Sequence, residues 1–88
     1  MNNLLVSYDL MRPGKNYQPV YDYLESFSDR VKPLQSVYLI RTAKTAVQVR
    51  DELIAKVDSN DKILVIRIDT SMWGTFNLPN TAKWLKTH

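Results

Sequence analysis

Short apolar runs alternate along this chain with segments whose apolar residues recur at helical spacing. Residues 4–8 form one such run, which is too short for a helix and is followed by the Pro13-Gly14 turn signal. Both faces of this run are largely apolar, which predicts a central strand over residues 3–9 that ends in a carboxylate. Residues 63–66 form a second continuous apolar run and predict another central strand, ending near Asp69.

Two longer segments have the periodicity of amphipathic helices. Asn16 is a candidate cap for the first helix, and Pro19 is tolerated in its first turn. Thr45 and Gln48 form a capping-box pattern at the start of the second helix. The predicted buried stripes are Val20, Leu24, Phe27 and Val31 in the first helix, and Ala46, Val49, Leu53 and Val57 in the second.

The remaining segments complete the predicted order of elements. Pro33 ends the first helix, and residues 34–42 are predicted to be extended; a bend within residues 30–42 would split this region into two strands. Asn77 is predicted to cap a short last helix with Pro79 near its start. The apolar side of that helix would consist of Leu78, Ala82 and Leu85.

This order predicts a single α+β domain over residues 1–88, a ferredoxin-like split βαβ sandwich with a short C-terminal helix. Right-handed crossovers place both main helices on one face of the sheet. The other face is then open unless something covers it. A core of this size is modest, so a partner subunit is a plausible source of further stability.

Composition excludes several kinds of site. The chain has no cysteine, so thiolate nucleophiles, disulfides and cysteine zinc sites are unavailable. Its one histidine, His88, is the last residue, where fraying is expected. No apolar stretch is long enough to span a membrane and no signal-peptide pattern begins the chain, so we expect a cytoplasmic protein that does not contact membranes.

Asp9 is the first candidate site residue, because it ends a strand of a rigid sheet immediately before a basic loop. One carboxylate is a poor metal site, but a two-fold axis would bring two copies together, and Mg²⁺ or Mn²⁺ accepts such ligands. The alternative interpretation is a solvated aspartate that opens a turn. Ser7 and Ser36 have no evident base beside them, which argues against a serine nucleophile.

Four basic residues in two loops are the second candidate set. The net charge of +3 permits nucleic-acid binding without requiring it. Basic loops at a sheet edge could hold phosphates, although solubilising charge is the commoner role. The four residues are Arg12 and Lys15 in one loop and Arg41 and Lys44 in another.

The aromatic residues favour packing over binding. Five tyrosines could stack bases, but at strands and helix edges tyrosine is more often part of a core or a dimer contact. Trp73, Phe76 and Trp84 could form a binding cluster. We expect instead that the C-terminal segment folds back and buries them.

Three short segments carry a family resemblance: Leu4-Leu5-Val6-Ser7-Tyr8-Asp9, Gln35-Ser36-Val37-Tyr38, and Asn60-Asp61-Lys62-Ile63-Leu64-Val65. Through them the chain resembles the second CRISPR-associated adaptation protein and its superfamily, which includes VapD-like endoribonucleases. The ending Ala82-Lys83-Trp84-Leu85-Lys86 is similar to the SinR-like branch. The strand after the first helix lacks the usual glycine-containing ending of the adaptation proteins.

The resemblance implies a ferredoxin-like homodimer in which Asp9 of both subunits binds Mg²⁺ or Mn²⁺ for phosphodiester cleavage of DNA or RNA. Some members are similar to structural dimers that bind duplex DNA, and whether this chain also has a partner protein stays open. Two alternative functions stay open: a non-catalytic interaction or scaffold module, and a small-molecule-binding regulatory domain.

Overall fold

Four strands form one antiparallel sheet in the computed structural model, which describes residues 1–88. Three helices connect or follow them, and none is long and apolar enough to cross a membrane. In chain order the elements are β1 (Asn2–Asp9), α1 (Gln18–Glu25), β2 (Arg30–Leu34), β3 (Val37–Thr42), α2 (Ala46–Ile54), β4 (Lys62–Arg67) and α3 (Pro79–Lys86). This arrangement confirms a small α+β fold and is consistent with the predicted ferredoxin-like class.

The sheet has the order β2-β3-β1-β4, with β1 bonded to both β3 and β4. The prediction of β1 as a central strand is therefore confirmed. The same prediction for β4 is wrong, because β4 lies at the sheet edge. The continuous apolar run of β4 predicts burial on both faces of the strand. One face is instead exposed, with Leu64 56% and Ile66 49% accessible to solvent.

Both main helices pack against one face of the sheet, as predicted. Val20 and Leu24 of α1 and Val49 and Leu53 of α2 are fully buried. They meet the strand residues Leu4, Val6, Tyr8, Tyr38 and Ile40 in the main core. Burial of these side chains is the principal stabilising contribution to the sheet–helix packing.

The first helix is shorter than its apolar stripe predicted. It ends at Glu25, and Val31 belongs to β2 instead. The apolar residues of β2 continue the helical spacing by coincidence, so periodicity alone could not separate the two elements. Pro33 is accommodated within β2 because β2 is an edge strand with a register shift between Val31 and Leu34.

One of the three predicted helix caps is present in the structure. The Thr45 side chain accepts a hydrogen bond from the Gln48 amide, and the Gln48 side chain accepts one from the Thr45 amide, which confirms the capping box. The prediction that Asn16 caps α1 is wrong: the N-cap is Tyr17, which makes no side-chain capping hydrogen bond, although the Asn16 side-chain oxygen accepts a hydrogen bond of 3.0 Å from the Gln18 amide. Asn77 does not cap α3 but adopts a positive φ of 59°, a conformation that asparagine tolerates better than most residues.

The C-terminal helix covers part of the other sheet face. Trp84 and Leu85 of α3 pack with Leu39 of β3 in a second small core. Burial of Trp84 and Leu85 was predicted, whereas Phe76 is 85% exposed and Trp73 is also exposed, so their predicted burial is wrong. The chain folds back through α3 only, and the segment before α3 stays on the surface.

Candidate functional site

Asp9 lies on the sheet face opposite α1 and α2. Alternate residues of β1 point to opposite faces, so Asp9 shares its face with Leu5 and Ser7, while Tyr8 points into the core. Cross-strand pairing places Lys62 opposite Asp9 on the same face. We call the part of this face that α3 does not cover the open face; its members are Ser7, Asp9, Lys62, Leu64 and Ile66, whereas Leu5 packs against the small core under α3.

The open face combines a free carboxylate with apolar side chains. Asp9 is exposed and belongs to none of the five ion pairs in the chain. A shallow pocket of about 140 Å³ lies beside it, lined by Ser7, Lys62 and Leu64 among others. The exposed Leu64 and Ile66 continue the same surface along β4.

The donor set at Asp9 fits a hard divalent cation only in part. A carboxylate oxygen is the ligand type that Mg²⁺ and Mn²⁺ prefer. No group of three or more histidine, cysteine, aspartate or glutamate side chains is close enough to hold a metal ion. Asp9 is the only carboxylate among the open-face residues of one subunit, so a second one would have to come from another copy of the chain.

The first pair of predicted basic residues lies in the loop after Asp9 but is already engaged. The Arg12 guanidinium and the Lys15 ammonium contact the two carboxylate oxygens of Asp58, at 3.1 and 3.0 Å. The hydrogen bonds from Lys15 and Arg12 hold the pKa of Asp58 below its ordinary value. This carboxylate neutralises part of the positive charge that a phosphate would meet.

The second pair lies at the other end of the sheet. Arg41 pairs with Asn3, whereas Asp9 ends the same strand β1. The strand places these ends about 20 Å apart at about 3.3 Å per residue. Lys44 contacts Glu52 at 2.7 Å. The structure therefore does not bring the four predicted basic residues together, and it adds Lys62 as the basic residue beside Asp9.

Asp61 organises the loops next to the site. Its carboxylate accepts hydrogen bonds from the Met11 amide at 2.7 Å, the Tyr17 hydroxyl at 2.8 Å and the Asp58 amide at 2.8 Å. Partial desolvation raises the pKa of Asp61, but these hydrogen bonds outweigh it and hold the pKa below its ordinary value. No local pattern predicts this network, because the partners of Asp61 are up to 50 residues away along the chain.

We expect the stability of the protein to fall in acid through this network. A carboxyl whose folded pKa is lowered stabilises the fold above its unfolded pKa, near about 4, and loses that contribution as the pH falls through the folded value. Urea unfolding should therefore give a constant stability from neutral pH to about pH 5 and a decrease below about pH 4.

The variant Asp61→Asn should be less stable than wild type at neutral pH and should show a smaller decrease in acid, because the amide cannot accept from all three donors. Asp22→Asn, which removes an exposed carboxylate of α1, is the matched control. Equal acid sensitivity of wild type and Asp61→Asn would exclude Asp61 as a source of the effect.

Two tyrosines confirm the packing interpretation. Tyr8 and Tyr38 are buried on the helix-covered face of the sheet. Burial, and then the hydrogen bond of 3.0 Å to Glu25, raises the pKa of Tyr38 to about 12. Neither ring is available as a platform for a base, whereas Tyr17, Tyr21 and Tyr23 are only half-buried.

His88 is anchored to the fold, contrary to the expectation that it is frayed. Its Nε2 lies 2.6 Å from one carboxylate oxygen of Asp29, and its Nδ1 lies 2.6 Å from the Trp84 carbonyl oxygen. The ring stacks on Trp84 with centroids 3.8 Å apart. The Trp84 indole N–H donates to the same Asp29 at 2.8 Å. No sequence signal linked Asp29 to this end of the chain, because the contact depends on how α3 docks.

No protein-family model matches the chain, and no solved structure matches it significantly.

Proposed function

We propose that this chain is a homodimeric nucleic-acid-associated protein of the ferredoxin-like fold, with a metal-dependent phosphodiesterase site built from Asp9 of both subunits. The resemblance to the second CRISPR-associated adaptation protein and its SinR-like and VapD-like relatives supports this proposal. So does the sheet order β2-β3-β1-β4, in which each main helix connects two strands separated by one other strand.

The observation that carries the proposal is the position of Asp9. It is an exposed carboxylate, without an ion-pair partner, at the end of a central strand. It also shares the open face with the exposed apolar side chains Leu64 and Ile66. A two-fold packing of the open faces would cover those side chains and bring the two Asp9 carboxylates toward the axis.

The chemistry of such a pair favours a divalent cation. Two ionised carboxylates repel each other, and a bound Mg²⁺ or Mn²⁺ would replace this repulsion by attraction. When bound, the ion supplies Lewis-acid polarisation of a phosphoryl oxygen and a more acidic water. Asp9 holds the ion, and Lys62 beside it offers a positive charge to the phosphate.

A non-catalytic interaction module is the second candidate. The engagement of Arg12 and Lys15 with Asp58, and of Lys44 with Glu52, favours it because these side chains lose part of their attraction for phosphate. Arg41 and Lys62 belong to no ion pair in the chain and would carry the electrostatic contribution to DNA or RNA binding.

Asp9→Asn separates the two candidates, because it removes the charge and nearly preserves the shape. We expect this variant to remain folded and dimeric, to lose cleavage of labelled DNA or RNA in Mg²⁺ or Mn²⁺, and to lose thermal stabilisation by either ion. The loss of activity should be at least about a hundredfold, as for removal of a group that organises a catalytic metal.

Asp22→Asn is the matched control, since it removes an exposed carboxylate from α1, away from the open face. Cleavage by wild type and Asp9→Asn at equal rates would contradict the metal-site proposal. Binding of nucleic acid by both proteins without any cleavage would support the interaction module instead.

A further inference from the structure

A groove of about 360 Å³ opens at the end of the sheet where β1 stops. It lies between the loop after β1, helix α1 and the turn from β2 to β3. Its lining includes Asp9, Tyr21, Lys32, Gln35 and Ser36. This volume lies within the range of small-ligand sites, and the groove adjoins the carboxylate on which the proposed function depends.

Tyr21 supplies the accessible aromatic wall of the groove. Tyr8 is also in the lining, with its ring centroid 6.3 Å from that of Tyr21 and the planes inclined at 56°. Tyr8 is buried, so it supports the neighbouring ring from behind, while the half-buried Tyr21 keeps part of its surface open. Such a supported ring is suited to stacking against a planar base.

Lys32 supplies a positive charge that no carboxylate neutralises. Its ammonium lies 5.9 Å from the centroid of the Tyr21 ring and 5.5 Å from that of Tyr38, and it belongs to none of the ion pairs. The nearby Glu25 accepts a hydrogen bond from the Tyr38 hydroxyl. Two aromatic faces thus hold the cation at the groove and leave its charge available to an anion.

Polar groups of the β2–β3 turn complete the lining. The Ser36 carbonyl accepts a hydrogen bond from the Tyr8 amide at 3.1 Å, which fixes the turn against the end of β1. The Gln35 carbonyl accepts from the Tyr8 hydroxyl at 3.5 Å. These contacts use main-chain oxygens only. The side-chain amide of Gln35 and the side-chain hydroxyl of Ser36 therefore remain able to form hydrogen bonds with the edge of a bound base.

We infer that this groove binds one nucleotide unit of an unpaired strand, with its base against Tyr21 and its phosphate at Lys32. The inference rests on the proposed function, because it takes the nucleic acid that the protein is proposed to bind and assigns one unpaired unit of it to the groove at the end of β1. The base must be unstacked to enter the groove, so the ligand is single-stranded.

The test is titration of the folded protein with each of the four ribonucleoside 5′-monophosphates in Mg²⁺, followed by amide chemical shifts in NMR spectra. The matching nucleosides and inorganic phosphate are titrated in parallel. We expect monophosphates to shift the amides of Tyr21, Lys32, Gln35 and Ser36 in a saturable way, and nucleosides to shift them more weakly. Shifts confined to other residues, or saturable shifts produced equally by inorganic phosphate alone, would overturn the inference.

Variants separate the base contact from the phosphate contact. Tyr21→Leu should weaken monophosphate and nucleoside binding by about tenfold, whereas Tyr21→Phe should bind like wild type. Lys32→Gln should weaken monophosphate binding about two- to fivefold and leave nucleoside binding unchanged. Lys83→Gln, at an exposed position of α3, is the matched control. Wild-type affinity in both Tyr21→Leu and Lys32→Gln would overturn the inference.

The same variants distinguish failure of the groove from failure of the proposed function. If the groove does not bind nucleotides but the nuclease proposal is correct, the groove amides do not respond to nucleotides. Asp9→Asn then loses metal-dependent cleavage, whereas Tyr21→Leu cleaves like wild type. If only the nuclease proposal is wrong, nucleosides shift the groove amides in both wild type and Asp9→Asn, and neither protein cleaves.

Discussion

Replacing Leu53 by alanine is expected to lower the free energy of unfolding by about 2–5 kcal/mol. Leu53 is fully buried where α2 packs on the sheet. Its truncation removes apolar contacts and leaves a cavity that the surrounding side chains fill only partly. For a domain of this size, each kcal/mol lowers the melting temperature by about 4–8 °C, so thermal and urea unfolding should both detect the change.

The adjacent residue offers a matched control. Ile54 is 54% exposed on the same helix, and Ile54→Ala should change stability by no more than about 0.5 kcal/mol. A comparison of neighbouring apolar residues separates the effect of burial from that of helix propensity. Equal destabilisation by the two substitutions would contradict the position of α2 against the sheet.

Replacing Leu64 and Ile66 together by lysine is expected to disrupt the proposed homodimer. Both side chains lie on the open face beside Asp9 and are about half exposed, at 56% and 49%. Burying such a side chain contributes about 1.5–3 kcal/mol, and two-fold symmetry repeats each substitution in the partner. The dissociation constant should therefore rise by at least about a hundredfold in sedimentation or light-scattering measurements over a concentration series.

The substituted monomer should remain folded, because lysine is well tolerated on the exposed side of an edge strand. Val47→Lys, at a 55% exposed position on α2, is the control, since it adds one charge on the helix-covered side of the molecule. Two results would contradict the proposal of a site shared by the Asp9 residues of two subunits. One is a wild-type protein that is monomeric at high micromolar concentration, and the other is a double variant that associates like wild type.

These two sets of substitutions test different parts of one arrangement. Leu53 tests the packing of α2 on the helix-covered face of the sheet. Leu64 and Ile66 test the open face, which is the part of the other face that α3 does not cover. The proposed metal site depends on the open face, because Asp9 is the only carboxylate among its residues in one subunit.

Local signals in the sequence were sufficient for several elements. The capping box of Thr45 and Gln48 and the short run that became β1 were predicted correctly, because each depends on residues within one turn or one strand. The helical stripe also identified the buried residues of α2, Val49 and Leu53. The boundary between α1 and β2 was not predictable in this way, since Val31 fits the spacing of the preceding helix but pairs with Leu39 in the sheet.

The sequence by itself determined that a carboxylate ends the first strand, because strand length and the following turn are local properties. Only the tertiary structure decided that Asp9 faces Lys62, that Arg12 and Lys15 pair with Asp58, and that Arg41 lies at the opposite end of the sheet. The order of strands and their register join residues that are dozens of positions apart. They depend on how the whole core packs, and the pattern within any one segment does not contain that information.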